Sequence, residues 1–317
     1  MPSAGSLLHQ RLTEQRGALR SAEAAARSGE PTGLHDVRVA MRRIRSALVS
    51  FRSLVDPAVT EPLRDELRWA AGRLGSARDA EVVAELTGRL LGAGRPAGLG
   101  EAVSGLRARL QLDAVAAADE VDDTLGSERF AAALALLDAV VAAPPLTEEA
   151  ARPAADVAAE VMRHEVERVR RRVAAVREAV VETRAARRAE EGRPVDEDRM
   201  GPRGPSEEVA ARLHELRKSV KRLRYAAEAV APVTGKRVRR VARRAEEVQT
   251  LLGDHHDGIV AVGTLRHLAL DEGAGEAAAF LLGHLEADEE RAVARLERRA
   301  TKAVARLEDA AERALAD

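Results

Sequence analysis

His35, Arg38, Arg42 and Arg45 stand at spacings of three, four and three residues, and His214, Arg217, Lys221 and Arg224 repeat those spacings at an offset of 179 residues. On a helix each set forms a row of cations led by an imidazole, suited to binding anionic oxygens at regular intervals. Arginine offers a planar fork to such oxygens and lysine a compact charge. Histidine adds a donor whose charge grows as pH falls through about 6.5. Within a row, neighbours at i, i+4 carry like charge, which destabilises an exposed helix by about 0.2–0.5 kcal/mol per pair. An anion is therefore expected to face each row. It is either a carboxylate such as Asp79 or Asp257, or an external polyanion.

The segments that carry these rows read LHDVRVAMRRIRSALVSF and LHELRKSVKRLRYAAEAV. In the first, Val37, Met41, Ile44, Leu48 and Phe51 recur every three or four residues, and Leu216, Val220, Leu223, Ala227 and Val230 do so in the second. Each set is one apolar helical stripe that must be buried. The cations follow one residue later, about 100° around the helix. The basic rows therefore flank the core instead of lying opposite it, as an ordinary solvated face would. His35 falls in the first turn of its helix, after Pro31-Thr32-Gly33, where free N–H groups also favour an anion.

A second pair of blocks keeps the order: Leu74-Gly75-Ser76-Ala77-Arg78-Asp79 answers Leu252-Gly253-Asp254-His255-His256-Asp257 at an offset of 178. We read these blocks as turns, with Arg78 and His256 in equivalent places facing the rows. Two blocks recurring in order indicate an internal duplication giving two helical bundles.

Composition agrees with an all-α chain. Of 317 residues 45% are hydrophobic, only 2% are aromatic, and helical periodicity runs nearly throughout without strand alternation. Breaks are expected at 29–33, Asp56-Pro57, 92–100, 142–145, Pro232 and 271–276. The stretch EEGRPVDEDRMGPRGPS reads as a linker. The expected division is a first half at 1–190, a flexible linker at 191–206 and a second half at 207–317, together one domain.

The absence of cysteine removes disulfides and zinc–thiolate sites. No apolar run approaches the about 20 residues that cross a bilayer. The expectation is a cytoplasmic protein without membrane contact. Net charge is −1, from 51 Lys+Arg against 52 Asp+Glu, so distribution carries the information. Cations gather at 38–45, 163–177, 217–224 and 236–244, and acids at 119–123, 196–198 and 286–290. That pattern suggests a built electropositive surface in a neutral protein.

Arg163, Arg170 and Arg177 repeat every seven residues and are candidates for the same surface, as is part of the 236–244 cluster. Asp254-His255-His256-Asp257 invites a metal reading, but its counterpart in the first copy cannot ligate a metal in the same way. No nucleophile motif, phosphate loop or dinucleotide fingerprint occurs.

His35, Arg38, Arg42-Arg43 and Arg45 with Leu74-Gly75 and Asp79, and again His214, Arg217, Lys221-Arg222 and Arg224 with Leu252-Gly253 and Asp257, resemble the conserved-histidine α-helical domain, or CHAD, family. The resemblance covers nearly the whole chain. It implies two helical bundles about a pseudo-two-fold axis, with a basic central pore that binds inorganic polyphosphate. The residues implied for that ligand are the histidines and cations of the rows, with Arg43, Arg78, Arg163, Arg170, Lys218, Arg222 and His256. It further implies no catalysis, no cofactor and no metal, a stand-alone module at polyphosphate granules, and polyphosphate-metabolising enzymes as partners. The residues alone stop at a linear or multivalent polyanion. Nucleic-acid binding is the alternative, disfavoured by scarce aromatics and neutral charge. A metal-dependent polyphosphate or phosphate-ester hydrolase is a third. Lys218 stands where the first copy has Val39, so unequal charge is expected in the two halves.

Overall fold

A computed structural model describes residues 2–30, 32–92, 119–191, 207–269 and 275–316, with isolated positions at 112 and 115. These residues form α1 (Ala4–Arg27), α2 (Gly33–Ser50), α3 (Pro57–Gly92), α4 (Glu128–Ala142), α5 (Ala154–Glu191), α6 (Glu207–Thr234), α7 (Lys236–Ala269) and α8 (Gly275–Leu315), with a further helical stretch at 119–126. The described chain is all-α, as expected. Isolated bridges at Ser3–Pro153 and Val55–Leu146 are its only β pairing. Among the described residues no helix is long and apolar enough to cross a membrane.

Local sequence sets the helix ends. Ser3 accepts a hydrogen bond from the Ser6 amide at 3.2 Å to start α1, and Ser127 accepts from the Phe130 amide at 3.1 Å to start α4. Asp56 does the same for the Ala58 amide at 2.8 Å, and Pro57 occupies the first position of α3, where its missing N–H costs nothing. The breaks expected at 29–33, Asp56-Pro57 and 142–145 all separate helices. Pro232 does not break α6. It lies inside the helix, which ends two residues later before Gly235 at φ 80°, a left-handed conformation that favours glycine.

Two compact units result, each described here by itself. The first holds α1, α2, α4, α3 as far as Arg89, α5 as far as Met162, and Tyr225–Val238. The second holds Arg163–Arg224 and the chain from Arg239 onward. Because α5 and α6 each contribute to both, each unit draws residues from both sides of the 191–206 stretch. That stretch lies outside the described residues from 192 on.

The first unit packs α2 closely on α1. A Cβ at Gly33 would fall 2.3 Å from the Ala26 backbone nitrogen, so only glycine permits this approach. Val37, Met41, Ile44, Leu48 and Phe51 are all buried, as the stripe requires. Arg16 reaches from α1 to Asp138 of α4 with two hydrogen bonds, at 2.5 and 2.8 Å. In the second unit Leu216, Val220 and Leu223 are buried likewise, and α6 continues into the first unit with Ala227 and Val230 buried. These stripes fix the rotation of α2 and α6, and with it the direction of the cations beside them.

Candidate functional site

In the first unit the basic row lies along the edge of the core. Arg38, Arg42 and Arg45 are half-buried, and His35, the third residue of α2, is exposed. A guanidinium nitrogen of Arg38 lies 3.6 Å from where a Cβ on Gly75 would stand. The second unit repeats this contact between Arg217 and Gly253 at 3.7 Å. The Leu74–Asp79 and Leu252–Asp257 blocks are therefore not turns. Both run through uninterrupted helix, with Leu74 and Leu252 buried and the glycine presenting a bare backbone to the arginine of the row.

At 3.6–3.7 Å an alanine methyl fits in ordinary contact, whereas a larger side chain must displace the guanidinium. Gly75→Ala is expected to stabilise the protein by about 0.5–1 kcal/mol, through helix propensity and a restricted unfolded chain. Gly75→Leu is expected to lower stability. Thermal unfolding of the two variants tests this; equal destabilisation by both would contradict the contact.

The cations of the rows have different partners. Arg43 faces Glu228 at 3.3 Å with its guanidinium 5.8 Å from the centre of the Tyr225 ring, and Arg11 also reaches Glu228, at 3.2 Å. Its counterpart Arg222 donates to the buried carboxylate of Glu165 at 3.2 Å, which also faces Arg168 at 3.2 Å. Arg224 pairs with Glu246 at 2.8 Å. Arg42 and Arg45 form no ion pair among the described residues, and the Arg42 Nε is buried without a hydrogen-bond partner among them. Partial burial, followed by the charges of Arg68, Arg64 and Arg42, holds the Arg45 pKa below the usual arginine value, with Asp65 opposing. Arginine stays charged at any working pH, so the first unit holds uncompensated positive charge at the edge of its core.

Of the two carboxylates expected as counter-charges, only Asp257 falls among the described side chains, and it does not supply one. The Asp79 side chain lies outside the described residues, as does that of Arg78, and Asp257 forms no ion pair among those described. Glu228, Glu165 and Glu246 do so instead. Sequence alone does not single them out, because they come from other helices and meet the rows only through tertiary packing.

His214 and His256 meet in the second unit with ring centres 4.8 Å apart. The His214 Nδ1 is buried without a hydrogen-bond partner among the described residues. Partial burial, then Lys218, His256 and Arg217, hold the His214 pKa below its ordinary value, against Glu215. The folded protein thus resists protonation that the unfolded chain accepts near pH 6.5. Stability is expected to fall as pH drops from about 6.5 through the lowered pKa. His214→Asn should flatten that fall in thermal scans between pH 7.5 and 5, and an unchanged profile would contradict it.

Lys218, offered by sequence as extra charge in the second copy, is exposed and hydrogen-bonded to Glu215 at 2.7 Å. Arg163 is exposed, while Arg170 and Arg177 face Glu312 at 3.4 Å and Glu308 at 2.7 Å on α8. In the 236–244 cluster Val238 and Val241 are buried, Arg244 pairs with Glu247 at 2.9 Å, and Lys236, Arg237, Arg239, Arg240 and Arg243 are exposed. His255 is buried against Glu297 at 3.3 Å. Among the described residues no three His, Asp or Glu side chains converge as metal ligands.

The CHAD domain family pattern matches residues 10–266. The chain belongs to the CHAD family. CHAD proteins are associated, as a family, with inorganic polyphosphate. Two relatives from Mycobacterium tuberculosis are uncharacterised proteins, MT2285 of strain CDC 1551 / Oshkosh and Rv2226 of strain ATCC 25618 / H37Rv. Each is 30% identical over 259 residues, covering 80% of this chain and 44% of its own length. This chain thus spans less than half the length of these relatives. Among solved structures, PptA from Streptomyces chartreusis superposes with a TM-score of 0.73 at 25% identity, covering 96% of this chain and 99% of its own. The CHAD domain from the plant Ricinus communis gives a TM-score of 0.62 at 24% identity, with 99% and 92% covered. These likenesses support the CHAD helical fold.

Proposed function

We propose that this CHAD protein binds inorganic polyphosphate without catalysis, through the basic rows of α2 and α6. The observation that carries this reading is the half-buried pair Arg42 and Arg45, which form no ion pair among the described residues, while Arg43, Arg222 and Arg224 each do. Uncompensated charge at a core edge is costly unless an anion arrives to share it.

Polyphosphate suits such rows chemically. It carries roughly one negative charge per phosphate and no base or apolar group, so it needs regularly placed donors and no stacking platform. The rows supply the donors, and the chain holds only one Trp, one Tyr and three Phe. A place at polyphosphate granules, and transfer of the polymer to enzymes that make or degrade it, belong to the same proposal.

Titrating the protein with labelled long-chain polyphosphate, a DNA duplex and orthophosphate at rising salt tests the reading. Polyphosphate is expected to bind tightly and to survive salt better than DNA, with orthophosphate weak. Equal and steeply salt-dependent binding of both polymers would favour a general nucleic-acid surface. Phosphate release on adding Mg²⁺ or Mn²⁺ would overturn the non-catalytic part.

A further inference from the structure

The two copies place opposite charge beside the last arginine of the row. In the first unit Arg38 lies over Gly75, and seven residues on along α2, and seven back along α3, stand Arg45 and Arg68. In the second unit Arg217 lies over Gly253, and the same two steps lead to Arg224 and Glu246. Seven residues are about 10.5 Å on each helix, so antiparallel neighbours that meet at one pair meet again at the next. Arg224 and Glu246 do meet, at 2.8 Å. By that register Arg45 faces Arg68, in agreement with the direction in which Arg68 perturbs Arg45.

We infer that Arg45 and Arg68, with Arg64 one turn away on α3, form a phosphate-binding subsite present in the first unit only, whose counterpart in the second unit is filled by the carboxylate of Glu246. The inference rests on the polyphosphate reading and deepens it. Arg68 is more than half exposed and keeps one carboxylate, Asp65 at 2.6 Å on its own helix; Arg64 keeps Glu61. In the second copy Arg243 and Glu246 reverse the signs of Asp65 and Arg68, so it is the residue turned toward the row that changes from cation to acid. Two guanidiniums brought together with free donor edges suit the oxygens of one or two adjacent phosphates. Glu246 already occupies the matching donors of Arg224.

Reciprocal charge exchange tests this, with full-length protein and long-chain polyphosphate read by titration and melting followed without ligand. Arg68→Glu is expected to lower affinity about tenfold with Tm nearly unchanged, because the ion pair it offers Arg45 offsets the Asp65 pair it breaks. Glu246→Arg is expected to raise affinity several-fold and lower Tm. Unchanged affinity in both variants, with wild-type binding intact, would overturn the subsite and leave the polyphosphate reading standing. Loss of affinity in Arg68→Glu accompanied by a fall in Tm would also overturn it, as damage to the fold. No binding by the wild type would overturn both.

Discussion

Arg42→Ala/Arg45→Ala is expected to weaken polyphosphate binding about 100-fold while leaving Tm unchanged or slightly higher. Each arginine is half-buried without an ion pair among the described residues, so removing it severs no internal bond. Hydrogen bonds to charged groups contribute about 1.5–3 kcal/mol, close to tenfold or more per arginine. The absence of a stability cost separates a binding residue from a structural one. A double variant that binds normally, or one that melts well below wild type, would place these arginines in the scaffold.

Glu165 should behave in the opposite manner. Its side chain is 2% exposed and faces Arg222 and Arg168, each at 3.2 Å. Glu165→Leu leaves two guanidiniums without that partner, and breaking a buried pair costs about 3–5 kcal/mol. Both arginines are about one-third exposed, so we expect about 2–3 kcal/mol, seen as a fall in Tm of several degrees. Adding Arg222→Leu should recover part of the loss, since the stranded charge goes with it. An additive double variant would show that the two residues do not act as a pair.

These two expectations distinguish cations that sequence alone could not separate. The rows and their flanking apolar stripes were legible because three- and four-residue spacing fixes a helix and its buried face, and Val37 to Phe51 and Leu216 to Val230 fill the core as read. Which arginine meets a carboxylate and which does not was not legible, because Glu228, Glu165 and Glu246 arrive through tertiary packing. The Leu-Gly blocks misled for a different reason. Glycine usually marks a turn, but Gly75 and Gly253 sit in helices where a guanidinium lies over the bare backbone. That contact also fixes the register that brings Arg68 to Arg45, a relation present in the sequence as paired seven-residue steps but unreadable until the meeting point was known. A proline disfavours helix, but Pro232 lies two residues from the end of α6, where little remains for it to interrupt.

The salt dependence of polyphosphate binding in wild type and in Arg42→Ala/Lys221→Ala tests most directly whether the rows hold the polymer. If each lost cation had contacted a phosphate, the slope of log affinity against log salt should become shallower by about one per residue, and affinity should fall at every salt concentration. An unchanged slope with unchanged affinity would mean that the rows do not contact polyphosphate.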